Sequence, residues 1–115
     1  MLRLLLLDRF YLLAQQVLNM NLASFNKKEF LDQRISTLTH SPEVTALWYD
    51  GHGDWQKAHD LVDGLSTPKA ERIHAYLHRK EGDQWNAQYW YRRAGVTMPS
   101  YSLEEEWLEL CKTLL

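Results

Sequence analysis

The sequence predicts an all-α fold of about seven helices joined by short turns, and three observations support this. No segment alternates apolar and polar residues as a half-buried strand does. Helix-start signals recur along the chain, and glycine-containing breaks separate the helical stretches. A helix–turn–helix unit also occurs twice, which predicts two antiparallel hairpins that bury a shared face by stacking.

The chain of 115 residues has the length of a single domain. We divide it into N-terminal helices at 1–40, two hairpins at 42–99 and a C-terminal capping helix at 102–115. A net charge of −2 argues against a dedicated nucleic-acid-binding domain, which usually carries a basic excess. The single cysteine, Cys111, cannot form an internal disulfide and favours a reducing, cytoplasmic location.

The N-terminal stretch MLRLLLLDRFYLL is predicted to be an amphipathic helix packed on the domain. Its leucine run is interrupted by Asp8 and Arg9. A secretory signal core needs about 7–15 apolar residues, and a membrane span needs about 20, so we expect neither. Two alternatives stay open: a membrane-surface helix with Arg3 and Arg9 on its polar face, or a native start at Met20.

Local signals set the beginning and end of most helices. Asn26 and Glu29 have the spacing of a capping box, and Phe25 and Phe30 flank it as a hydrophobic staple would. A capping hydroxyl starts each of three further helices, twice just before a proline: Ser41-Pro42, Thr67-Pro68 and Ser102 with Glu105. The breaks GHGD at 51–54 and EGD at 81–83 separate helical stretches.

An internal repeat relates residues 45–65 to residues 74–94. Four pairs of identical residues are each 29 positions apart: Ala46 and Ala75, Gly53 and Gly82, Asp54 and Asp83, Ala58 and Ala87. Each unit is thus a helix, a Gly-Asp turn and a second helix with a small residue where its partner must come close.

The second unit resembles a tetratricopeptide repeat, a helix–turn–helix of 34 residues. The matching positions are Ala75, His78 (usually tyrosine), Gly82-Asp83, Ala87, Tyr91, Ala94 and Pro99. The first unit matches through Ala46, Tyr49, Gly53-Asp54 and Ala58. The spacing of 29, Val62 in place of an aromatic residue and His74 in place of leucine depart from the pattern.

The resemblance covers residues 42–99 and implies a right-handed stack of antiparallel helical hairpins. It also implies that the first helix of each unit lines a ligand-binding groove. The string HAYLHRKEGD…A.YWYRRAG additionally resembles one in a family of uncharacterised bacterial and fungal proteins, and that resemblance implies no activity.

His74 and His78 are four residues apart, so both project from one helix face. Zinc proteases use this spacing with a glutamate after the first histidine, but Ala75 occupies that position and excludes the chemistry. We expect both rings to be buried and hydrogen-bonded to carboxylates or carbonyls. The carboxylates available for this are Asp54, Glu81 and Asp83.

The alternative is a metal or small-molecule site built on His74 and His78. A third ligand would come from His59, His52 or Glu81 after folding, and the sequence does not choose among them. It contains no glycine-rich phosphate loop, nucleophile elbow or cysteine–histidine zinc spacing. The enzyme hypothesis therefore depends on the histidines alone, and we predict no catalytic residue and no cofactor.

The opposite face of the same helix carries a basic stripe, defined by Lys69, Arg72, Tyr76, Arg79 and Lys80. Four cations around one aromatic ring suit the carboxylates of an acidic peptide or a phosphate group. By the resemblance, this stripe lines the groove. The alternative is a solvated face whose cations pair with Glu71, Glu81 or Asp83.

Aromatic residues surround the next helix, QWNAQYWYRRAG. Trp85 and Tyr89 share one face, whereas Trp90 and Tyr91 point elsewhere, and packing in a core explains most of these rings. One exposed ring beside Arg92 or Arg93 would mark an interaction patch.

These observations together predict a small cytoplasmic protein-interaction module that contacts a protein or peptide partner of acidic character through the basic stripe. They predict no membrane span and no nucleic-acid partner, and they leave a homo-oligomer open.

Overall fold

A computed structural model of the chain describes residues 25–37 and 41–114. These two stretches contain six α-helices, one 3-10 turn at Ile35–Thr37 and no strand, which confirms the all-α prediction. The helices are α1 (Lys27–Asp32), α2 (Pro42–Gly51), α3 (Trp55–Asp63), α4 (Pro68–Glu81), α5 (Gln84–Ala94) and α6 (Leu103–Leu114). The predicted N-terminal helix and the proposed start at Met20 lie outside the described residues. Within those residues, no helix combines the length and the apolar character that crossing a bilayer requires.

Side-chain caps begin the helices where the sequence predicts them. Asn26 Oδ1 accepts a hydrogen bond from the Glu29 backbone N–H at 3.1 Å, and Phe25 packs on Phe30 with ring centroids 5.8 Å apart. Three hydroxyl groups cap α2, α4 and α6 in the same way: Ser41, Thr67 and Ser102. Each cap satisfies an N–H group that has no partner inside its helix.

Both Gly-Asp turns reverse the chain. Gly53 and Gly82 have φ angles of +83° and +87°, a region that residues with a Cβ atom adopt only with strain. The aspartate that follows each glycine caps the next helix: Asp54 accepts from the Lys57 N–H at 3.2 Å, and Asp83 accepts from the Asn86 N–H at 3.1 Å. As a result α2 and α3 form one antiparallel hairpin, and α4 and α5 form a second.

The alanines of the internal repeat lie in the interior of the fold. All four are fully buried: Ala46, Ala58, Ala75 and Ala87. The two hairpins meet where α3 packs against α4. Larger apolar side chains, including Leu47, Ile73 and Leu77, fill the space between the helices.

The C-terminal helix α6 covers this core by packing against α2 and α4. Its Trp107 is only 2% exposed and donates an indole hydrogen bond to the Leu47 carbonyl oxygen at 3.1 Å. Phe25 and Phe30 each pack against Trp107 with ring centroids 5.9 Å apart. Helix α6 thereby joins α1 to both hairpins and lies over one face of α4, the face that carries the basic stripe.

Candidate functional site

Helix α6 and helix α2 partly cover the basic stripe of α4. Arg72 forms an ion pair with Glu109 at 3.1 Å, and Arg79 forms one with Glu106 at 2.9 Å, both across the contact with α6. Lys80 pairs with Asp50 of α2 at 2.9 Å. Of the four cations, Lys69 is exposed and forms no ion pair with the described residues.

Tyr76, expected to be an open platform in the middle of the stripe, is buried instead. Only 2% of the residue is exposed, and its hydroxyl donates to Asp50 Oδ2 at 2.8 Å. Burial raises the pKa of Tyr76 far above its ordinary value, and the Asp50 carboxylate adds to the increase. The expectation that the stripe faces outward as an open cationic surface is therefore wrong for Tyr76 and for the two paired arginines.

Two of the three acidic residues that pair with the stripe, Asp50 and Glu106, are buried, at 3% and 0% exposed. Glu106 accepts hydrogen bonds from Arg79 and from the Tyr91 hydroxyl, which lies 2.7 Å from Oε2. The alternative prediction pairs the cations of the stripe with Glu71, Glu81 or Asp83. Three of the cations are paired, but their partners come from α2 and α6. No local sequence signal identifies Asp50 or Glu106 as such a partner.

The histidines of α4 face the other way, toward α3 and α5. His74 and His78 are 2% and 8% exposed, and His59 of α3 completes a histidine cluster with them. The ring centroids are 4.7 Å apart for His59 and His74, 5.2 Å for His59 and His78, and 4.9 Å for His74 and His78. One nitrogen atom from each of the three rings lies within 4.8 Å of the others. His52, the other imidazole named as a third ligand, contacts the Leu31 carbonyl oxygen elsewhere.

The nitrogens of the cluster divide into bonded and unbonded atoms. His78 Nδ1 lies 2.7 Å from Glu81 Oε1, one of the carboxylates expected for this role. His74 Nε2 is 3.9 Å from Asp63 Oδ1, beyond hydrogen-bond distance. His59 Nδ1 and His74 Nδ1 are buried and have no hydrogen-bond partner among the described residues.

Tryptophan rings stack on two of the imidazoles. Trp90 of α5 stacks on His74 with ring centroids 3.9 Å apart, and Trp55 stacks on His59 at 4.9 Å. Trp55 precedes His59 by four residues, so helical spacing could have revealed that pair. Trp90 approaches His74 only through the packing of α5 on α4, and the sequence contains no signal for it.

The surroundings of His74 disfavour its protonation. Its pKa is lowered from 6.5 to about 4, chiefly by burial and then by charge repulsion from His59 and His78, while Asp63 acts in the opposite direction. His74 is therefore neutral at physiological pH, which is the form that can bind a metal ion.

The outer face of α5 exposes aromatic and basic side chains together. We call Trp85, Tyr89, Arg92 and Arg93 the aromatic face of α5. Trp85 is 74% exposed, and its ring lies nearly parallel to that of Tyr89 at a centroid distance of 6.4 Å. The Arg93 guanidinium lies 6.0 Å from the Tyr89 centroid and pairs with Glu71 at 3.3 Å.

The lone thiol, that of Cys111, lies on the inner face of α6, fully buried in the core and apart from the histidine cluster. Burial raises the pKa of this thiol, which disfavours the thiolate that nucleophilic chemistry needs.

No protein-family model, curated protein or solved structure matches the chain.

Proposed function

We propose that the chain is a small protein-interaction module, a tetratricopeptide-like right-handed stack of helical hairpins, that binds an acidic segment of a partner protein through the aromatic face of α5. We place it in the cytoplasm, which its single cysteine favours. Two hairpins with equivalent Gly-Asp turns and equivalent buried alanines support the tetratricopeptide-like part of the proposal.

The observation that carries the proposal is the exposure of Trp85. At 74% exposed it leaves a large apolar ring in water, beside the half-exposed ring of Tyr89. Tryptophan, tyrosine and arginine are the residue types that contribute most often to binding energy at protein interfaces. This face presents all three at helical spacing.

The charge of the face supports an acidic partner. Helix α5 contains Arg92 and Arg93 and no acidic residue, and both arginines are exposed. Arg92 forms no ion pair within the described part of the chain, so its charge is available to a carboxylate. The basic stripe of α4 supports the same proposal less well, because most of its cations already have partners in the fold.

Site-specific crosslinking tests where the partner binds. A photoreactive amino acid replaces Gln88, an exposed residue among those of the aromatic face, or replaces Lys112, an exposed residue of α6 used as the control. After irradiation of cells, mass spectrometry identifies the crosslinked segment. We expect an acidic segment from position 88 and not from position 112, and the same partner from both positions would contradict the proposal.

A synthetic peptide of the crosslinked segment then gives the affinity. We expect Trp85→Ala and Arg92→Glu each to weaken binding at least about tenfold, which corresponds to a loss of about 1.4 kcal/mol or more. Lys112→Glu makes a comparable charge change away from this face and should leave the affinity unaltered. Equal affinity for all four proteins would overturn the assignment of the face, and a crosslink only to a second copy of the chain would replace the acidic partner with a homodimer.

A further inference from the structure

Three imidazoles from two helices converge in the interior of the molecule. Helix α4 contributes His74 and His78 from one face, and α3 contributes His59 from the facing side. A nitrogen of each ring lies within 4.8 Å of the others. Imidazole rings in such proximity repel one another when protonated, so a cluster of this kind is suited to a bound cation rather than to three protons.

The unbonded nitrogens point to a missing ligand. His59 Nδ1 and His74 Nδ1 are buried without a hydrogen-bond partner among the described residues. A buried polar atom without a partner costs free energy, and native proteins rarely leave one unsatisfied. His59 Nδ1 lies 3.9 Å from Asp60 Oδ1, beyond hydrogen-bond distance. Two rings of the cluster thus each have an unsatisfied nitrogen, as rings do when the metal ion that they bind is absent.

The third ring, that of His78, has one nitrogen paired with a carboxylate. Glu81 Oε1 lies 2.7 Å from His78 Nδ1, and an ionised carboxylate accepts the proton of that nitrogen. The other nitrogen, Nε2, is then left with a free lone pair. Carboxylate–histidine pairs fix the orientation of ligating imidazoles in this way in metal sites.

From this geometry we propose that His59, His74 and His78 bind a divalent transition-metal ion, for which Zn²⁺ is the best candidate. Neutral imidazole is a preferred ligand of zinc, and zinc commonly takes three protein ligands and one water molecule. Zinc–nitrogen bonds of about 2.0–2.1 Å bring the nitrogens of a tetrahedral site about 3.4 Å apart, so the rings would draw together on binding. Glu81 and Asp63 lie outside the rings, and their charges compensate that of the ion.

A second group of possible ligands shares His78 but is less suitable. It consists of His78, Glu81 and Asp83. Both carboxylates already have roles, since Glu81 contacts His78 and Asp83 caps α5 through the Asn86 N–H. We therefore assign Glu81 as a positioning residue that acts through His78, and not as a ligand.

The site would join the two hairpins, because His59 belongs to the first and the other two ligands to the second. Trp85 and Arg92 are not among its ligands, but Trp90 connects the cluster with the aromatic face of α5, since it stacks on His74 and lies 5.2 Å from the Tyr89 ring. Separate readouts, cobalt absorption for the site and crosslinking for the partner, therefore distinguish failure of one proposal from failure of the other. A partner that still binds after metal removal would be compatible with both proposals.

Metal titration of protein purified without an affinity tag and stripped with a chelator tests the site. We expect one Co²⁺ per chain with the intense visible absorption of a tetrahedral complex, displacement by Zn²⁺, and a higher melting temperature with zinc. His59→Gln and His78→Gln should abolish the cobalt absorption, whereas His52→Gln, outside the cluster, should retain it. Persistence of that absorption in the first two variants would contradict the assignment, as would its absence in the wild type.

The zinc affinity of a Glu81 variant tests whether this residue positions His78. Glu81→Gln should weaken zinc binding by about 10–100-fold, as the loss of an outer partner typically does, while one Co²⁺ per chain is still bound. Unaltered affinity in this variant would mean that Glu81 does not position the ligand.

Footprinting on the wild-type chain avoids any dependence on whether variants fold. Diethylpyrocarbonate modifies accessible imidazole nitrogens, and mass spectrometry locates the modified residues. Zinc should reduce modification of His59, the most exposed of the three rings, and leave that of His52 unchanged. Equal modification with and without zinc would overturn the proposal.

Discussion

Glu106 has no exposed surface, yet it carries an ionisable group in the middle of the molecule. Two neighbours make this possible: the Arg79 guanidinium at 2.9 Å and the Tyr91 hydroxyl at 2.7 Å. Burial of a charge is costly unless it is both paired and hydrogen-bonded. The stability of the contact between α4 and α6 therefore depends on both neighbours.

Removal of Arg79 should destabilise the protein strongly. Arg79→Ala leaves the Glu106 carboxylate buried without its cation, and such changes cost about 3–5 kcal/mol. Urea denaturation measures the difference, with Arg92→Ala as the matched control, since loss of an exposed arginine should alter stability by no more than about 0.5 kcal/mol. The double variant Arg79→Ala/Glu106→Gln should recover part of the loss, and no recovery would refute the charge explanation.

The pKa of His74 predicts how the metal-free protein responds to acid. The unfolded chain binds a proton at His74 with a pKa near 6.5, whereas the folded protein does so only near 4. Acid therefore favours the unfolded state, and stability is lost as the pH falls from about 6.5 toward 4. Between about pH 7 and pH 5, the contribution of His74 lowers the free energy of unfolding by about 2 kcal/mol.

Urea denaturation at several pH values in the presence of a chelator measures this loss. His74→Leu removes the titration of that ring and retains the other two histidines of the cluster and the nearby Asp63. The variant should lose less stability than the wild type between pH 7 and pH 5, and His52→Gln should behave as the wild type does. Parallel curves for wild type and His74→Leu would contradict the assignment.

At the scale of the helices, the Gly-Asp turns explain why the chain forms hairpins. Gly82 ends α4 in the left-handed conformation with φ of +87°, and Asp83 starts α5 immediately afterwards. A residue with a Cβ atom in that conformation is strained by about 1–2 kcal/mol. The length of α4, and with it the approach of α5 to His74, depends on this glycine.

Substitution by alanine should therefore affect the stability of the protein differently at two glycines. Gly82→Ala should destabilise the protein by about 1–2 kcal/mol. Gly64 ends α3 with φ of −90° and has no atom near the position of an added Cβ, so Gly64→Ala should be neutral or stabilising by up to about 1 kcal/mol. Thermal unfolding of the two variants checks the difference, and an equal loss in both would contradict the backbone explanation.

The elements that the sequence predicts best are those fixed by neighbouring residues. The Asn26 cap links residues three positions apart, and the same is true of the caps at Asp54 and Asp83. The packing of α6 over the basic stripe is not fixed by neighbouring residues, because Arg79 and its partner Glu106 are 27 positions apart. A pattern of charges on one helix cannot reveal which other helix packs on it, and this is why the sequence alone predicts an open stripe.

At the scale of the whole molecule, the histidine cluster can be predicted only in part from the sequence. The spacing of His74 and His78 fixes their shared face, and burial of that face follows from its apolar neighbours. The third histidine depends on how one hairpin packs against the other, so the sequence could name His59 only as one of several candidates. Trp90, which stacks on His74, belongs to a third helix, and no pattern in the sequence indicates that contact.

The whole molecule depends on α6 because Trp107 contacts several parts of the chain at once. Its ring packs against Phe25 and Phe30 near α1, and its indole N–H bonds to Leu47 of α2. Trp107→Ala should therefore cost about 3–5 kcal/mol, as large-to-small changes of a buried aromatic residue do. The chemically identical change at Trp85, which is 74% exposed, should alter stability by no more than about 0.5 kcal/mol.

Thermal and urea denaturation of this pair of tryptophan variants separates the two roles. A stable Trp85→Ala protein that has lost its partner would locate the defect at the aromatic face of α5, because the fold would be intact. A Trp107→Ala protein should unfold at a lower temperature and a lower urea concentration than the wild type. It should lose partner binding only to the extent that it is unfolded. If Trp85→Ala were as unstable as Trp107→Ala, Trp85 would be part of the core, and the surface that we propose for binding would not exist.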